Sequence, residues 1–377
     1  MRQLLVGNGI NIQFDKINYT TQQIMLRILK NCDKDDFPAH VIVQPAFFLK
    51  NYYGLLYLEA RKVISGEYDI YAIGTGEKES LASFKKQYSN KMKGLRITDI
   101  GPEDYYLLHD LACHKTRTTN PDQFNIREAM KIAYFYAIYN DGKLNDLHQK
   151  YPDRFNVFLN GYDTIFTTNY DSNVDSVVHA EVYHIHGQFD KLAEVYNPDS
   201  FRNKLPDAPF RNSSIDPRFP YLYCNALSTH CGAYKQFQIN QYSSANSVIE
   251  KMAAAYSSNA EAKVQIDSWC DDKNTLLSNM GHAIKLKVAH PELRFSENYH
   301  FDKLKTINGT LDIIGLSPWN DFHIFESIDQ SSVEMCTYYY YSEEQQAIVR
   351  ELLHDIYSQK RLAFKSVKDF WSEMYEE

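Results

Sequence analysis

The stretch "FTTNYD", Phe166 to Asp171, runs an apolar β-type segment into polar residues without a glycine or a proline. Asparagine and aspartate are poor strand formers, so their position here predicts a strand that stops where polar side chains are needed. In an open α/β sheet that position is the carboxyl edge, where ligands bind. An Asx-type turn or a helix cap is the alternative interpretation of the same residues.

Further β-type segments recur along the chain, and long helical patterns separate them. Together with the first, these segments are QLLVGNG, DTIFTTN, EVYHIHG, LDIIGLS and VEMCTYYYYS. Strands that alternate with helices favour a parallel sheet covered on both faces. The predicted fold class is therefore α/β, with a Rossmann-like, mostly parallel sheet that carries large helical insertions.

The predicted domain organisation is a single body interrupted twice. The sheet residues fall at about 1–15, 156–195 and 305–377, and the helical insertions at about 16–155 and 196–304. Both insertions are too long for simple crossovers, which take about a dozen or more residues. No linker rich in proline, glycine or serine separates them from the body, which favours insertions over tethered domains.

Composition narrows the possible partners and the compartment. The 377 residues carry a formal charge of −8, which argues against a broad surface for DNA or RNA. No segment approaches the roughly 20 apolar residues of a membrane span, and the first residues do not form a signal peptide. We expect a cytoplasmic protein with no direct nucleic-acid or membrane partner.

The cysteines give no paired C-x-x-C spacing, although there are six of them. Two clusters still invite comparison with metal sites. "HDLACH" places His109 and Cys113 four residues apart, and "THC" places His230 and Cys231 shortly after Cys224. Neither has the spacing of a closed zinc site, so no metal is expected.

Three further motifs follow predicted strands. In "LLVGNGINIQFD", the residues Gly7, Asn8 and Gly9 form a turn that can approach a phosphate closely, or a simple strand turn. In "VYHIHG", strand alternation puts His184 and His186 on one face. A histidine there can act as a base, pair with a metal or be a hydrogen-bonded core residue.

The third of these motifs is "LDIIGLSPWN", in which Gly315 and Ser317 end a strand. A glycine followed by a hydroxyl at the carboxyl edge suits a ribose or phosphate contact. The same pair suits an ordinary connection between a strand and a helix equally well.

In this order the four motifs resemble the sirtuin series, in which Gly-Ala-Gly-Ile-Ser, a Gln-Asn-Ile-Asp element, His-Gly and Gly-Thr-Ser line the NAD pocket. With the sequences "TTNYD" and "HIHG", the motifs are most similar to those of the sirtuin-like NAD-hydrolysing proteins of bacterial anti-phage defence. The resemblance covers about a fifth of the chain, and both long insertions fall outside it. Asn11, Tyr170 and Leu316 stand where the family has other residues.

The resemblance implies a role for each motif. Asn169 would hold the nicotinamide ribose or the attacking water, and His186 would be the catalytic histidine. Asp171 would recognise the nicotinamide carboxamide. The pyrophosphate and ribose would be lined by the remaining motif residues, namely Gly7, Asn8, Gly9, Asn11, Gly315 and Ser317.

The expected activity is hydrolysis of NAD, as substrate, to nicotinamide and ADP-ribose, by the NAD-depleting effector of an anti-phage, abortive-infection system. An NAD-dependent protein deacylase is one alternative, although the paired zinc cysteines of that family are missing. A non-catalytic sensor of NAD or ADP-ribose is the other. The resting enzyme would be restrained by homo-oligomer packing, by the insertions, or by a separate sensor such as an ATPase, a short Argonaute or a nucleotide pyrophosphatase.

Overall fold

The computed structural model describes residues 1–34, 36–38, 46–204, 215–228, 232–294 and 296–376. Its strands all belong to one sheet in which every neighbouring pair is parallel. They are β1 (Arg2–Val6), β2 (Thr164–Thr167), β3 (Glu181–His184), β4 (Asn308–Ile314), β5 (Ser332–Tyr340) and β6 (Leu362–Ser366). The α/β class predicted from the alternating pattern is confirmed.

Helices fill the intervals between the strands. Before β2 come α1 (Gly9–Phe14), α2 (Lys16–Tyr19), α3 (Thr21–Asn31), α4 (Ala46–Ser65), α5 (Thr75–Tyr88), α6 (Asp104–Thr116), α7 (Asp122–Tyr139) and α8 (Asp153–Leu159). Between β3 and β4 come α9 (Phe201–Lys204), α10 (Gly232–Ser258), α11 (Ala260–Cys270), α12 (Thr275–Ala289) and α13 (Phe301–Lys305). The last helices are α14 (Phe322–Asp329), α15 (Glu343–Leu352), α16 (His354–Ser358) and α17 (Val367–Tyr375).

The strand order is β3-β2-β1-β4-β5-β6, which is the order of a Rossmann-type sheet. The chain winds outward from β1 in one direction to β3, then returns to β4 on the other side of β1 and winds outward to β6. The order therefore reverses between β1 and β4. In such sheets a ligand binds in the crevice outside the carboxyl ends of the strands at this reversal.

The central strand is buried because it is apolar along its length. Leu4, Leu5 and Val6 are fully buried. One core cluster contains Leu4 and Val6 together with aromatic residues of α8 and α17, including Phe155 and Trp371. A strand that is buried on both faces usually has a continuous run of apolar residues, and the sequence of β1 has such a run.

The chain divides into two compact units. The first contains Met1–Gln188, Leu227–Gln236 and His300–Glu377, and so holds the whole sheet and the first long insertion. The second contains Phe189–Ala226 and Phe237–Tyr299, and has its own apolar cluster. In this cluster Ile249 of α10 and Ile266 of α11 pack with Ile284 of α12.

Several local predictions can be compared with the helix ends. The pattern "SEEQQ" predicts a serine cap for α15, which is confirmed because the Ser342 hydroxyl accepts a hydrogen bond from the Gln345 amide. The pattern "IREAMKIAYFYAIYNDG" predicts a helix that ends at Gly142, which is wrong: α7 ends at Tyr139, and Asn140 takes the left-handed conformation. No helix in the described parts of the chain is long and apolar enough to cross a membrane.

Candidate functional site

The four motifs lie in the first unit and follow four adjacent strands at the same edge of the sheet. Gly7 follows β1, Asn169 comes two residues after β2, His186 two residues after β3, and Gly315 directly follows β4. Because these strands are parallel, their carboxyl ends meet at one edge. Residues far apart in sequence are thereby brought to the candidate ligand crevice.

The glycines of the first and fourth motifs contact one another, and we call Gly7, Gly9 and Gly315 the glycine crossing. The Gly7 amide donates to the Ile314 carbonyl at 3.0 Å, and the Gly9 amide donates to the Gly315 carbonyl at 2.9 Å. A Cβ added at Gly7 would lie 2.6 Å from the Gly315 carbonyl oxygen, and one at Gly9 would lie 2.5 Å from the Gly315 Cα. These glycines let two backbone segments touch, whether or not a phosphate binds.

Two other predicted lining residues form local contacts. The Asn8 Nδ2 donates to the carbonyl of Tyr19 at 3.3 Å. The Ser317 hydroxyl accepts from the Trp319 amide at 3.4 Å, which closes a turn within its own loop. Neither side chain contacts Asn169 or His186 through a hydrogen bond of the described residues.

Asn11 and Asp171 form a buried pair across 160 positions of sequence. The Asn11 Nδ2 donates to Oδ2 of Asp171 at 2.6 Å. The other carboxylate oxygen accepts from the Asn173 amide at 3.1 Å and from its Nδ2 at 2.6 Å. Burial raises the pKa of Asp171, although the hydrogen bonds from Asn11 and Asn173 oppose this shift.

One hydrogen-bond acceptor of the Asn11–Asp171 pair has no donor among the described residues. The Asn11 Oδ1 is buried and accepts no hydrogen bond from the described residues. Buried polar atoms nearly always have a partner, so such an atom indicates a partner other than the described residues, for example a ligand or a water. A ribose hydroxyl or an amide N–H would satisfy it.

Asn169 is held by three contacts at the end of β2. Its amide donates to the Thr167 hydroxyl at 3.0 Å, and its Nδ2 lies 3.5 Å from the Gly7 carbonyl. Its carbonyl faces Nδ1 of His184 at 3.0 Å. These contacts bring Asn169 to the glycine crossing, as the sequence predicts for neighbouring parallel strands.

His184 and His186 have different surroundings. The predicted strand through Gly187 is wrong at its end: β3 stops at His184, and a turn follows in which the Gly187 amide donates to the His184 carbonyl. Gly187 has a φ of 78°, which ends the extended backbone. The two histidines are therefore not a simple pair on one strand face.

His184 is hydrogen-bonded at both ring nitrogens. Nδ1 faces the Asn169 carbonyl, and Nε2 lies 3.1 Å from a carboxylate oxygen of Asp175. Burial lowers the pKa of His184, but the hydrogen bond and charge of Asp175 outweigh it and the pKa is raised. With acceptors at both nitrogens, His184 is suited to the protonated form and has no free ring atom for a ligand.

His186 is only 2% exposed, and its Nε2 accepts from or donates to nothing among the described residues. Burial, with smaller contributions from Lys235 and His323, lowers the pKa of His186 well below its ordinary value. The ring is therefore neutral near pH 7, with one donor and one acceptor to offer.

Other polar residues of the first unit lie near the His186 ring or near its neighbour His323. The His323 ring is stacked near His186, with centroids 5.7 Å apart. Lys235 is buried and forms an ion pair with Glu103 at 2.8 Å. Asp321 is two residues before His323, and burial raises its pKa to about 7. The sequence predicts only a possible helix cap at Asp321 and gives no motif for His323 or Lys235.

No three or more histidine, cysteine or acidic side chains of the described residues form a group that could hold a metal ion. His109 contacts the Tyr52 hydroxyl and Cys113 instead. Of the second cluster that the sequence offered, His230 and Cys231 lie outside the described residues.

Comparison with known proteins does not assign the chain to a family. No protein-family model, no curated protein and no solved structure matches the chain. The class that the structure itself defines is a Rossmann-type α/β protein with a polar carboxyl edge. The function has to be argued from the side chains at that edge, because a fold alone does not specify an activity.

Proposed function

We propose that the protein is an NAD glycohydrolase that cleaves NAD to nicotinamide and ADP-ribose, with His186 and Asn169 at the reacting end of the substrate. One observation carries the proposal. His186, which follows β3, is a neutral, buried imidazole whose Nε2 has no partner among the described residues. The sheet has the strand order of dinucleotide-binding proteins.

The chemistry is compatible with a site that has no pair of catalytic carboxylates. Ordinary glycosidases protonate a poor leaving group and therefore need an acid as well as a base or a nucleophile. Nicotinamide leaves as a neutral molecule from a pyridinium that already carries positive charge. The protein then has to orient the ribose, exclude bulk water and position one water molecule.

The residues divide between these tasks. His186 can donate to or accept from a ribose hydroxyl or a water through Nε2, since it is neutral. Asn169, fixed against Gly7, positions the same region. The open Oδ1 of Asn11 supplies a second contact, and Asp171 keeps the Asn11 amide oriented.

The remaining predicted residues shape the crevice under this proposal. Gly7, Gly9 and Gly315 bring the loops after β1 and β4 together, which allows a ligand to approach the backbone closely. Asp171 already accepts three hydrogen bonds and a carboxylate has about four acceptor positions, so one position is left for a carboxamide N–H.

A non-catalytic sensor of NAD or ADP-ribose is the second candidate, because the unpaired atoms of Asn11 and His186 would serve binding whether or not cleavage follows. The Gly7 and Gly9 amides already donate to backbone carbonyls, so their glycines are accounted for by packing alone. A sensor would bind the nucleotide through the open Asn11 and His186 atoms without cleaving it.

The test is NAD cleavage by His186→Ala and Asn169→Ala, with nicotinamide and ADP-ribose measured by mass. General acid–base help and correct positioning are each worth about 100-fold or more, so each variant should lose at least about 100-fold in rate. The exposed His354→Ala is the matched control and should cleave at the wild-type rate. Full cleavage by both folded site variants would remove the catalytic assignment and favour the sensor.

The same assay addresses the proposed place in anti-phage defence. His186, Asn169 and Asp171 are all buried, which is compatible with a resting enzyme that is restrained. We propose that homo-oligomer packing, the insertions or a separate sensor imposes this restraint, and that infection relieves it. Purified protein should cleave NAD faster in the presence of its genetic neighbour than alone, and an equal rate in both arms would contradict regulation by that neighbour.

A further inference from the structure

Two buried histidine rings of the first unit, those of His186 and His323, lie next to each other, and we call them the histidine pair. The two rings are close to parallel, at an interplanar angle of 17°, with centroids 5.7 Å apart. His323 is 0% exposed and His186 is 2% exposed. Three ring nitrogens have no hydrogen-bond partner among the described residues: Nε2 of His186 and both nitrogens of His323.

Three open nitrogens in one buried place are unusual. A neutral imidazole has one donor and one acceptor, and more than about 90% of buried backbone polar groups and most buried side-chain atoms are paired. Leaving each buried polar group unpaired costs about 1–3 kcal/mol. A packed aromatic residue would avoid this cost, so the position of His323 indicates a partner other than the described residues.

Three polar groups near these rings form hydrogen bonds with one another. Lys235 donates to one carboxylate oxygen of Glu103 at 2.8 Å. The Tyr170 hydroxyl donates to the other at 2.9 Å. On its other sides His323 contacts the aromatic rings of Phe301 and Phe322, which offer no hydrogen-bonding atom.

The electrostatic surroundings keep both rings neutral. Burial, then the nearby ammonium of Lys235, lowers the pKa of His323 to about 3. The same two causes lower the pKa of His186. The histidine pair therefore presents uncharged nitrogens that can donate as well as accept, which suits an uncharged oxygen better than a phosphate.

We propose that the histidine pair holds one oxygen that both donates and accepts, either a hydroxyl of the nicotinamide-side ribose or the water that attacks it, and that His323 is a positioning residue for this oxygen. The proposal rests on the proposed NAD cleavage for the identity of the ligand. The two rings are neighbours, with centroids 5.7 Å apart, and each carries a buried nitrogen without a partner among the described residues. A metal would need further ligands, and none completes such a group in the described part of the chain.

The reaction balances without a second cofactor. Water forms a bond to the ribose carbon, the bond from that carbon to the nicotinamide nitrogen breaks, and its electron pair stays with nicotinamide, which becomes neutral. The second proton of the water is released to solvent. His323 contributes position and not the net uptake of a proton, because its ring is a weak base.

The experiment compares His323→Phe with His323→Asn. Phenylalanine keeps the aromatic packing and removes both nitrogens, whereas asparagine keeps one donor and one acceptor. We expect His323→Phe to fold with wild-type stability or better at pH 7 and to cleave NAD about 100-fold more slowly. His323→Asn should recover part of the rate. The exposed His354→Phe is the matched control and should behave as the wild type.

An analogue of NAD that lacks the 2′-hydroxyl of the nicotinamide ribose separates the two sources of the oxygen. If the histidine pair holds that hydroxyl, the wild type and His323→Phe should differ on NAD but not on the analogue. If it holds the water, His323→Phe should be slower on both substrates. Equal rates for wild type and His323→Phe on both substrates would overturn the proposal.

Binding of ADP-ribose, measured by calorimetry, separates this inference from the proposed function. If the wild type cleaves NAD and His323→Phe cleaves it equally well, the function stands and the role of His323 is refuted. If the wild type binds ADP-ribose without cleaving NAD, the function is refuted, and weaker binding by His323→Phe of about fivefold or more supports the contact. Failure of the wild type to bind either nucleotide would refute both.

Discussion

The glycine crossing and the histidine pair belong to the same unit, yet they satisfy their polar groups in opposite ways. At the crossing the Gly7 and Gly9 amides donate to carbonyls of the opposite loop. At the pair three ring nitrogens have no partner in the described residues. Packing alone explains the crossing, whereas it does not explain the unpaired nitrogens of the histidine pair.

The same contrast separates two histidines only two residues apart. His184 contacts acceptors with both nitrogens, one from the backbone and one from Asp175. His186 has an open Nε2. The resemblance selects His186 in "HIHG" because the glycine follows it, and in the structure His184, unlike His186, has acceptors at both ring nitrogens.

The largest effect is expected at the crossing. In Gly9→Ala the new Cβ would lie 2.5 Å from the Gly315 Cα, and two backbones cannot move apart as a flexible side chain can. Overpacking of this kind costs about 3 kcal/mol. We therefore expect the free energy of unfolding, measured in urea, to fall by about that amount.

Gly54→Ala is the matched control, since a Cβ there meets no atom within 4 Å. Gly54 lies inside α4, where alanine is favoured over glycine by about 0.5–1 kcal/mol, so this variant should be slightly more stable. A Gly9→Ala variant as stable as Gly54→Ala would show that the crossing is not a tight structural contact.

The second prediction concerns the acid sensitivity of the histidine pair. His323 has a folded pKa of about 3, compared with about 6.5 in the unfolded chain. On acidification the unfolded chain binds a proton that the folded protein does not bind, so stability falls. His323→Phe should lack this loss, and between pH 7 and pH 5 it should gain about 2 kcal/mol relative to the wild type.

Urea unfolding at the two pH values measures this difference. Phe325→Leu, a buried change on the same helix that removes no titrating group, should lose similar stability at both. If wild type and His323→Phe lose stability in parallel between pH 7 and pH 5, His323 is not held neutral in the folded protein.

The smallest effect is expected at His184. Its pKa is raised by Asp175 against the opposing effect of burial, so the contact stabilises the fold below about pH 6.5 and loses its effect as the pH rises through the folded pKa. The Asp175 side chain is 36% exposed, which limits the contribution to about 1 kcal/mol or less.

Asp175→Asn should therefore cost up to about 1 kcal/mol at pH 5.5 and close to nothing at pH 9. Unfolding in urea at both pH values measures the cost. Asp271→Asn, at an exposed position, controls for the loss of one charge and should change stability by about 0.5 kcal/mol or less. If the substitution costs more stability at pH 9 than at pH 5.5, Asp175 does not raise the pKa of His184.

The sequence was sufficient to predict the sheet because its signals are local. Apolar runs that end in glycine or asparagine marked the ends of β1, β2 and β4, and the alternation of strands with helices implied parallel pairing. β6 was not predicted. Its five residues, LAFKS, include a lysine and are only partly buried, so they lack a clear apolar pattern.

Helix breaks were a second weakness of the sequence interpretation. The apolar spacing of "DSWCDDKNTLLSNMGHAI" predicts one helix, but the stretch forms the end of α11 and most of α12. Asn274 begins α12 by accepting from the amides of Leu276 and Leu277. Asparagine caps compete with an uninterrupted helix, and the apolar spacing on either side does not show which outcome prevails.

The candidate site could be predicted only where it follows strand ends. Asn169, Asp171 and His186 lie there, and each was named from its motif. His323 and Lys235 lie on helices, and tertiary packing alone brings their charge and ring atoms near His186. Such proximity depends on long-range contacts that a single sequence does not reveal.

The position of β1 in the sheet has a consequence for synthesis of the chain. β1 pairs with β2 on one side and with β4 on the other, and β4 lies about 300 residues later in the sequence. At about 5–20 residues per second, the ribosome needs on the order of 15–60 s to supply this second neighbour. During that interval one row of backbone groups on β1 lacks its native partner, which makes the nascent chain a substrate for chaperones and a hazard for aggregation.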